Sequence, residues 1–151
     1  MFHLDLLFLD IESIAVNYLY FNTEILNIAI KNIKTIEVVA AIISYKNKIL
    51  CVQRDFNKYD YISKKYEFPG GKIEPGETHD QALRREIREE LEMEISIGDC
   101  FLKVDHEYPD FFLIMHSYLC FSASNKLKLN EHINHKWCSI NQMCSLDWAA
   151  A

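Results

Sequence analysis

The sequence predicts an α/β domain in which a mixed β-sheet lies between layers of helix. Apolar runs of strand length occur on both sides of one amphipathic segment in the middle of the chain. In that segment Leu83, Ile87 and Leu91 recur at the spacing of one buried helix face. A helix between two groups of strands is typical of a crossover in an α/β sandwich. The 151 residues, 50% of them apolar, suffice for one globular core.

The first 35 residues are predicted to be an extension that precedes the domain proper at residues 36–151. Two segments of this extension have the composition of strands and are too apolar for a disordered tail, namely HLDLLFLDI and IAVNYLYF. Two interpretations stay open. The extension either packs as a hairpin or helix on the domain or on a second subunit, or it has no part in the chemistry.

Two neighbouring strands are predicted at residues 36–44 and 48–54, joined by a turn at Lys46 and Asn47. A polar loop rich in tyrosine follows, then a short strand, YEF. Loops of this kind often border binding sites. Arg54 ends the second strand beside a glycine-containing turn, where it either holds a substrate phosphate or is an ordinary exposed arginine.

The central helix is predicted to begin at Thr78, after the Pro-Gly turn at 75–76. Gln81 stands three residues after Thr78, which matches a capping box. Upstream, Gly70 and Gly71 allow a sharp turn and let bare backbone approach a ligand closely. The start of the helix and the glycine turn are therefore expected to lie together.

Strands are also predicted after the helix, at residues 95–108 and 111–121, followed by a final strand near Trp137. The last segment, NQMCSLDWAA, is expected to form the first turns of a helix capped by Asn141. Because the chain would then end inside a helix at Ala151, the sequence suggests a shortened product.

Three carboxylates on one helix face predict a metal site. Glu86, Glu89 and Glu90 are three and four residues apart, so their side chains converge. Anions held so close repel one another unless a cation lies between them. Oxygen ligands of this type suit Mg²⁺ or Mn²⁺.

The stretch from Glu67 to Met93 resembles the Nudix box, G-x5-E-x7-R-E-U-x-E-E-x-G-U, in which U is aliphatic. The matching positions are Gly71, Glu77, Arg85, Glu86, Ile87, Glu89 and Glu90, with Met93 at the final apolar position. One position departs, because Glu92 stands where the family has glycine. A left-handed conformation often ends a helix there, so a non-glycine residue costs about 1 kcal/mol unless the helix runs on a little further.

The resemblance implies a Nudix-type α/β/α sandwich over residues 36–151. Within the family, the chain most resembles the MutT-like nucleoside triphosphate pyrophosphohydrolases, in the segments EFPGGKIEPGE and HEYPD and at its end. The branch includes CTP pyrophosphohydrolases and 8-oxo-dGTP diphosphatases. This resemblance implies Mg²⁺-dependent hydrolysis of a (deoxy)nucleoside triphosphate, normal or oxidised, to the monophosphate and pyrophosphate. Two alternatives are an ADP-ribose or dinucleotide pyrophosphatase and a non-catalytic nucleotide-binding module.

The resemblance also implies roles for individual residues. The implied metal ligands are Glu86, Glu89, Glu90, the backbone carbonyl of Gly70 and, from a loop, Glu131. Glu86 is the first choice for the general base, although the base varies within the family. The alternative for Glu131 is a solvated loop acid.

Other residues of the box and its surroundings have implied roles outside the metal site. Glu77 and Arg85 are expected to form a salt bridge that braces the loop against the helix. Lys72 either steadies the departing phosphate or is a surface lysine. Phe68 either stacks on a base or is a core aromatic. Phe111 follows the Pro-Asp turn, where the family reads oxidised guanine partly with an arginine.

The bulk composition limits the partners. The net charge of −6 argues against long nucleic acids, while a small nucleotide remains compatible because metal ions screen its phosphates. No apolar run of about 18 residues predicts a membrane span, and acidic residues interrupt the amino-terminal apolar stretch, so a cytoplasmic protein is expected, as a monomer or homodimer. The five cysteines show no C-x-x-C pair and are expected to be reduced and mostly buried.

Four histidines lack the compact spacing of zinc ligands and are expected to be exposed or satisfied by ordinary hydrogen bonds: His106, His116, His132 and His135.

Overall fold

Seven strands and two helices follow one another in the part of the chain that the computed structural model describes, residues 34–151. They are β1 (Lys34–Tyr45), β2 (Lys48–Gln53), β3 (Tyr66–Glu67), β4 (Gly70–Lys72), α1 (His79–Leu91), β5 (Ser96–Glu107), β6 (Phe111–Phe121), β7 (Asn134–Cys138) and α2 (Ile140–Met143). The strands expected in HLDLLFLDI and IAVNYLYF lie outside the described residues. The strands expected between 36 and 121 are confirmed within one or two residues.

The strands form one sheet with the order β3-β2-β1-β6-β5, in which β4 also pairs with β1 and β7 with β2. β2 and β4 run antiparallel to β1. β1 and β6 run in the same direction. Glu37, near the start of β1, contacts His116 in the middle of β6, and Ser122 N, just after β6, donates to Ser44 O near the end of β1 at 3.1 Å. The sheet is therefore mixed, as expected from a crossover helix.

The core lies where α1 packs on the sheet. The predicted helix stripe, Leu83, Ile87 and Leu91, is fully buried. It packs with alternate residues of β1, because successive strand side chains point to opposite faces. Burial of each such side chain stabilises the fold by about 1.5–3 kcal/mol. The residues of β1 in this cluster are Val39, Ala41 and Ile43.

The capping box at the start of α1 is confirmed. Gln81 N donates to Thr78 Oγ1 at 3.3 Å, and Thr78 N donates to Gln81 Oε1 at 2.8 Å. At the other end, Glu92 has φ 51° and ψ 37°, the left-handed conformation that glycine adopts most readily. Lys128 Nζ lies 2.6 Å from Glu92 Oε1, and Asn130 Nδ2 donates to the carbonyl oxygen of Glu89 at 2.7 Å. These contacts hold the end of the helix without the family's glycine.

The expectation for the last segment was wrong in two respects. Ser139, not Asn141, is the N-cap of α2, because Gln142 accepts from Ser139 N at 2.9 Å and completes a capping box there. The helix stops at Met143 instead of running to Ala151. The chain beyond it turns at residues 144–146 and then pairs with β3 through a bridge between Trp148 and Tyr66.

Backbone hydrogen bonds explain why this segment leaves the helix. Tyr66 N donates to Asp147 O at 2.8 Å, and Ala149 N donates to Tyr66 O at 3.0 Å. Trp148 Nε1 donates to Met143 O at 2.8 Å and folds the segment back on α2. Tertiary pairing thus overrides the local helical tendency.

All five cysteines are free, and three of them are buried: Cys51, Cys120 and Cys138.

Candidate active site

A cavity of about 1140 Å³ opens beside the carboxyl half of α1. Two of the predicted metal ligands, Glu86 and Glu90, line it from the helix, and Glu131 lines it from the loop before β7. Gly70 lines it from β4. Glu67, from β3, was not predicted from the sequence as a site residue, yet it lines the same cavity. Four carboxylates, two from α1 and one each from β3 and the loop before β7, therefore meet at one cavity.

Glu90 is the most buried of these carboxylates, with 6% of its surface exposed. Gly70 N donates to its Oε2 at 3.1 Å. Burial raises the pKa of Glu90 to about 8 despite that hydrogen bond, and the charges of Glu86, Glu67 and Glu131 add to the increase. No lysine, arginine or histidine among the described residues forms an ion pair with Glu90.

The glycine turn fits closely against the helix. A Cβ atom on Gly71 would overlap the carboxylate of Glu86. Gly70 has φ +147°, and a Cβ there would overlap the backbone of Val39. The two glycines therefore let β4 lie between β1 and the acidic face of α1, which explains their occurrence in the sequence motif.

Glu89 differs from the other two helix glutamates. Its side chain is 57% exposed, and it does not line the cavity. Arg85 Nη1 contacts its Oε2 at 3.4 Å. The helix spacing thus brings Glu89 to the side of Glu86 that faces solvent.

Arg85 joins three parts of the site. Its Nε and Nη2 each donate to the Glu77 carboxylate at 2.8 Å, which is the contact expected of a brace. Its Nη1 donates to Glu86 Oε1 at 2.8 Å, and its Nη2 donates to the carbonyl of Lys72 at 2.9 Å. The hydrogen bonds from Arg85 lower the pKa of Glu77 to about 2. The link from Arg85 to Glu86 was not anticipated from the sequence.

Arg54, for which the sequence allowed either a phosphate ligand or an ordinary exposed arginine, lines the cavity with 39% of its side chain exposed and contacts a protein carboxylate. Its Nη2 lies 2.6 Å from Glu67 Oε2. His132 Nε2 lies 3.3 Å from the other oxygen of Glu67. Burial of Glu67 opposes ionisation, but the hydrogen bonds from His132 and Arg54 lower its pKa overall. The position of Glu67 directly before the Phe-Pro-Gly-Gly turn was the only sequence signal for this trio.

Aromatic side chains also line the cavity. Phe68 is half-buried and packs against Trp148, with 5.0 Å between ring centroids. Phe111 packs against Tyr108 at 4.8 Å. Lys72 lines the cavity as an exposed side chain. Phe68 and Lys72 both line the cavity.

The donor set fits a hard divalent cation. It consists of carboxylate oxygens, and the buried Glu90 has anionic neighbours without a paired cation in the described part of the chain. An isolated ionised carboxylate is costly to bury, so a bound cation is the natural compensation. Oxygen-only ligands favour Mg²⁺ or Mn²⁺ over softer metals.

Comparisons with known proteins agree with this geometry. A CTP pyrophosphohydrolase of Escherichia coli K12 is 39% identical over 106 residues, which are 70% of this chain and 77% of that protein. An 8-oxo-dGTP diphosphatase of Proteus vulgaris is 32% identical over 95 residues, 62% of this chain and 83% of that protein. The solution structure of a MutT protein of the Nudix hydrolase family from methicillin-resistant Staphylococcus aureus 252 is 40% identical, with a TM-score of 0.61, covering 79% of this chain and 90% of that one.

Family membership follows from the longest of these matches. The NUDIX domain family matches residues 34–151, the whole part of the chain that the structure describes. The sandwich fold and the acidic helix expected from the resemblance are both present. No helix among the described residues is long and apolar enough to cross a membrane. The chain belongs to the NUDIX domain family and is a hydrolase of the Nudix type.

Proposed function

We propose that this protein hydrolyses a nucleoside or deoxynucleoside triphosphate to the monophosphate and pyrophosphate in a Mg²⁺-dependent reaction. The observation that carries the proposal is the meeting of Glu86, Glu90, Glu67 and Glu131 at one cavity, with Glu90 buried among like charges. The relatives named for CTP and 8-oxo-dGTP support the same reaction class.

The metal would be held by carboxylates on α1 and its neighbours. Glu86 and Glu90 are the central ligands, Glu89 reaches from the solvent side, and Gly70 and Glu131 complete the set. When bound, divalent cations neutralise phosphate charge and lower the pKa of a coordinated water. Mn²⁺ is expected to substitute for Mg²⁺ because both prefer oxygen ligands.

The protein's own residues orient the reacting groups. Arg85 fixes one oxygen of Glu86 at 2.8 Å, which leaves the other oxygen available to accept a proton from the attacking water. Glu86 is therefore the proposed general base. Lys72, exposed at the cavity, is positioned to contact the departing phosphate. Arg54 is held by Glu67, and substrate phosphate would compete with that carboxylate for the guanidinium.

The base is proposed to bind against the aromatic side chains of the cavity. Rings of Phe68, Tyr108, Phe111 and Trp148 line it and offer faces for stacking. Aromatic faces accept several bases, so cytosine and 8-oxoguanine are both substrates to test first, in line with the named relatives.

A product-resolved panel tests the proposal. Purified protein is incubated with Mg²⁺ and CTP, dCTP, 8-oxo-dGTP, the remaining triphosphates, ADP-ribose and a dinucleoside polyphosphate. Release of monophosphate and pyrophosphate from at least one triphosphate is the expected result. Turnover of only ADP-ribose or the dinucleotide would show that the protein is an ADP-ribose or dinucleotide pyrophosphatase instead. No turnover of any compound would favour a non-catalytic nucleotide-binding module.

A matched pair of variants separates the metal site from general surface charge. Glu89→Gln is expected to lower kcat by about 100-fold or more, since charge stabilisation at reacting phosphates contributes on this scale. Glu94→Gln removes the same charge from an exposed position just beyond the helix and should leave kcat unchanged. Equal activity of the two variants would remove Glu89 from the metal site.

A further inference from the structure

Two histidines and a glutamate meet on the side of the sheet that faces α1. His79 is the first residue of that helix, His116 lies in β6, and Glu37 lies in β1. One ligand atom from each lies within 4.8 Å of the other two. His79 was not among the histidines singled out from the sequence, whereas His116 was. The proximity of His79 to His116 depends on the crossover that returns the helix to the sheet.

The cluster is distinct from the cavity of the glutamates. β1 directs Ile36, Val38, Ala40 and Ile42 into the cavity, and Glu37 lies between the first two, on the opposite face. In β6, Met115 and Ser117 line the cavity, while His116 points the other way. None of the three clustered residues lines the cavity.

The three donors are arranged to share one ion. His116 Nε2 lies 2.8 Å from Glu37 Oε1, and the rings of His79 and His116 lie 4.4 Å apart. Tetrahedral Zn²⁺ with ligands at about 2.0–2.1 Å separates donor atoms by about 3.4 Å, so only small side-chain movements are needed. The side chain of His116 is 16% exposed and that of Glu37 is 52% exposed, which leaves an open side for water.

Tyr118 provides the contact that orients the first histidine. Its hydroxyl oxygen lies 2.7 Å from His79 Nδ1. A metal-bound histidine commonly uses its second ring nitrogen to donate to an oxygen, which fixes the ring and its tautomer. The Tyr118 contact occupies Nδ1, so Nε2 of His79 remains available for a metal.

The geometry points to a second metal site, formed by Glu37, His79 and His116, that takes a Zn²⁺-class ion through imidazole and carboxylate ligands. Two imidazoles and one carboxylate suit Zn²⁺ and its analogue Co²⁺ better than Mg²⁺. The ion would tie the first turn of α1 to β1 and β6. Because the ion binds the folded protein, it would raise the melting temperature.

Co²⁺ absorption distinguishes this site from the glutamate site. A four-coordinate Co²⁺ with imidazole ligands absorbs visible light far more strongly than a six-coordinate Co²⁺ with oxygen ligands. Full-length protein is titrated with Co²⁺, and then with Zn²⁺ in competition, in excess Mg²⁺. Intense bands that saturate at one Co²⁺ per chain and disappear with Zn²⁺ are the expected result.

Variants assign the bands to the cluster. His79→Asn and His116→Gln should each abolish them, whereas His135→Asn, a histidine in β7 outside the cluster, and Glu86→Gln should retain them. Tyr118→Phe should weaken binding by about 10–100-fold through loss of the orienting contact. Thermal unfolding with a chelator verifies that each variant folds.

Two results would overturn the second site. One is the absence of intense bands in the wild-type protein, and the other is their persistence in both histidine variants. Either would leave the cluster as a hydrogen-bonded His116–Glu37 pair with His79 packed beside it.

Discussion

A single buried carboxylate, Glu90, connects the stability of the metal-free protein with its capacity to bind cations. Its side chain is 6% exposed and its one hydrogen bond in the described structure comes from Gly70 N. The same burial that makes ionisation costly makes the ionised group a strong ligand once a cation is present. At this scale the environment of the side chain, more than its identity, determines its chemistry.

Glu90 predicts how the stability of the metal-free protein depends on pH. Its pKa is about 8 in the folded state, compared with the ordinary value of 4.5 that applies to the unfolded chain. Between these values the native state binds a proton that the unfolded state has lost, so stability falls as pH rises from about 4.5 to about 8. Urea denaturation in a chelator should show this fall, and Glu90→Gln should reduce it. An equal pH dependence in the variant would contradict the assignment.

At the scale of one element, α1 joins two functions on one helix. Its apolar stripe anchors it in the core, while the glutamates on the adjoining face line the cavity or its edge. The position of those glutamates depends on where the helix begins and ends. The capping box fixes the start, and the left-handed Glu92 fixes the end.

The left-handed residue predicts an unusual ranking of substitutions. Glu92→Gly should give a more stable protein than Glu92→Ala by about 1 kcal/mol, because both lose the Lys128 contact but only alanine keeps the left-handed strain. Urea denaturation of the two variants measures the difference. At Glu94, where φ is not positive, the glycine variant should not be more stable than the alanine variant. Greater stability of Glu92→Ala than of Glu92→Gly would show that Glu92 is not strained by its left-handed conformation.

Much of this element could be predicted from the sequence, and the reasons are physical. The capping box, the apolar stripe and the departure at Glu92 are local patterns within the helix and its caps. Glu67, by contrast, acquires its role from Arg54 and His132, which are 13 and 65 residues away in the chain. His79 meets His116 only after the helix has crossed back over the sheet. The cap of α2 was missed because two polar residues, Ser139 and Asn141, stand on either side of Ile140 and both could serve, and the capping box with Gln142 forms at Ser139.

At the scale of the whole molecule, the last segment closes one end of the cavity. Trp148 pairs with Tyr66 of β3, packs on Phe68 and lines the cavity. Lys65 Nζ holds Asp147 at 2.7 Å beside it. Two parts of the sequence about 80 residues apart thus form one wall of the proposed base-binding region.

Trp148 therefore predicts a combined effect on folding and substrate binding. Trp148→Ala should destabilise the protein by about 2 kcal/mol, through lost packing of a half-buried ring, and should raise KM more than it lowers kcat. Trp148→Phe keeps an aromatic face and should recover most of both losses. Denaturation and steady-state kinetics provide the measurements. An unchanged KM in the alanine variant would exclude the ring from the substrate site.

The two-sided character of β1 has a consequence for how this protein can evolve. Residues such as Ala40 and Ile42 line the cavity, while Ala41 and Ile43, which alternate with them, belong to the core. Point substitutions can therefore reshape the catalytic chamber one side chain at a time. Gain or loss of a single codon within the strand would exchange the two sets. Insertions and deletions are consequently expected to be tolerated in the connecting loops and not within β1.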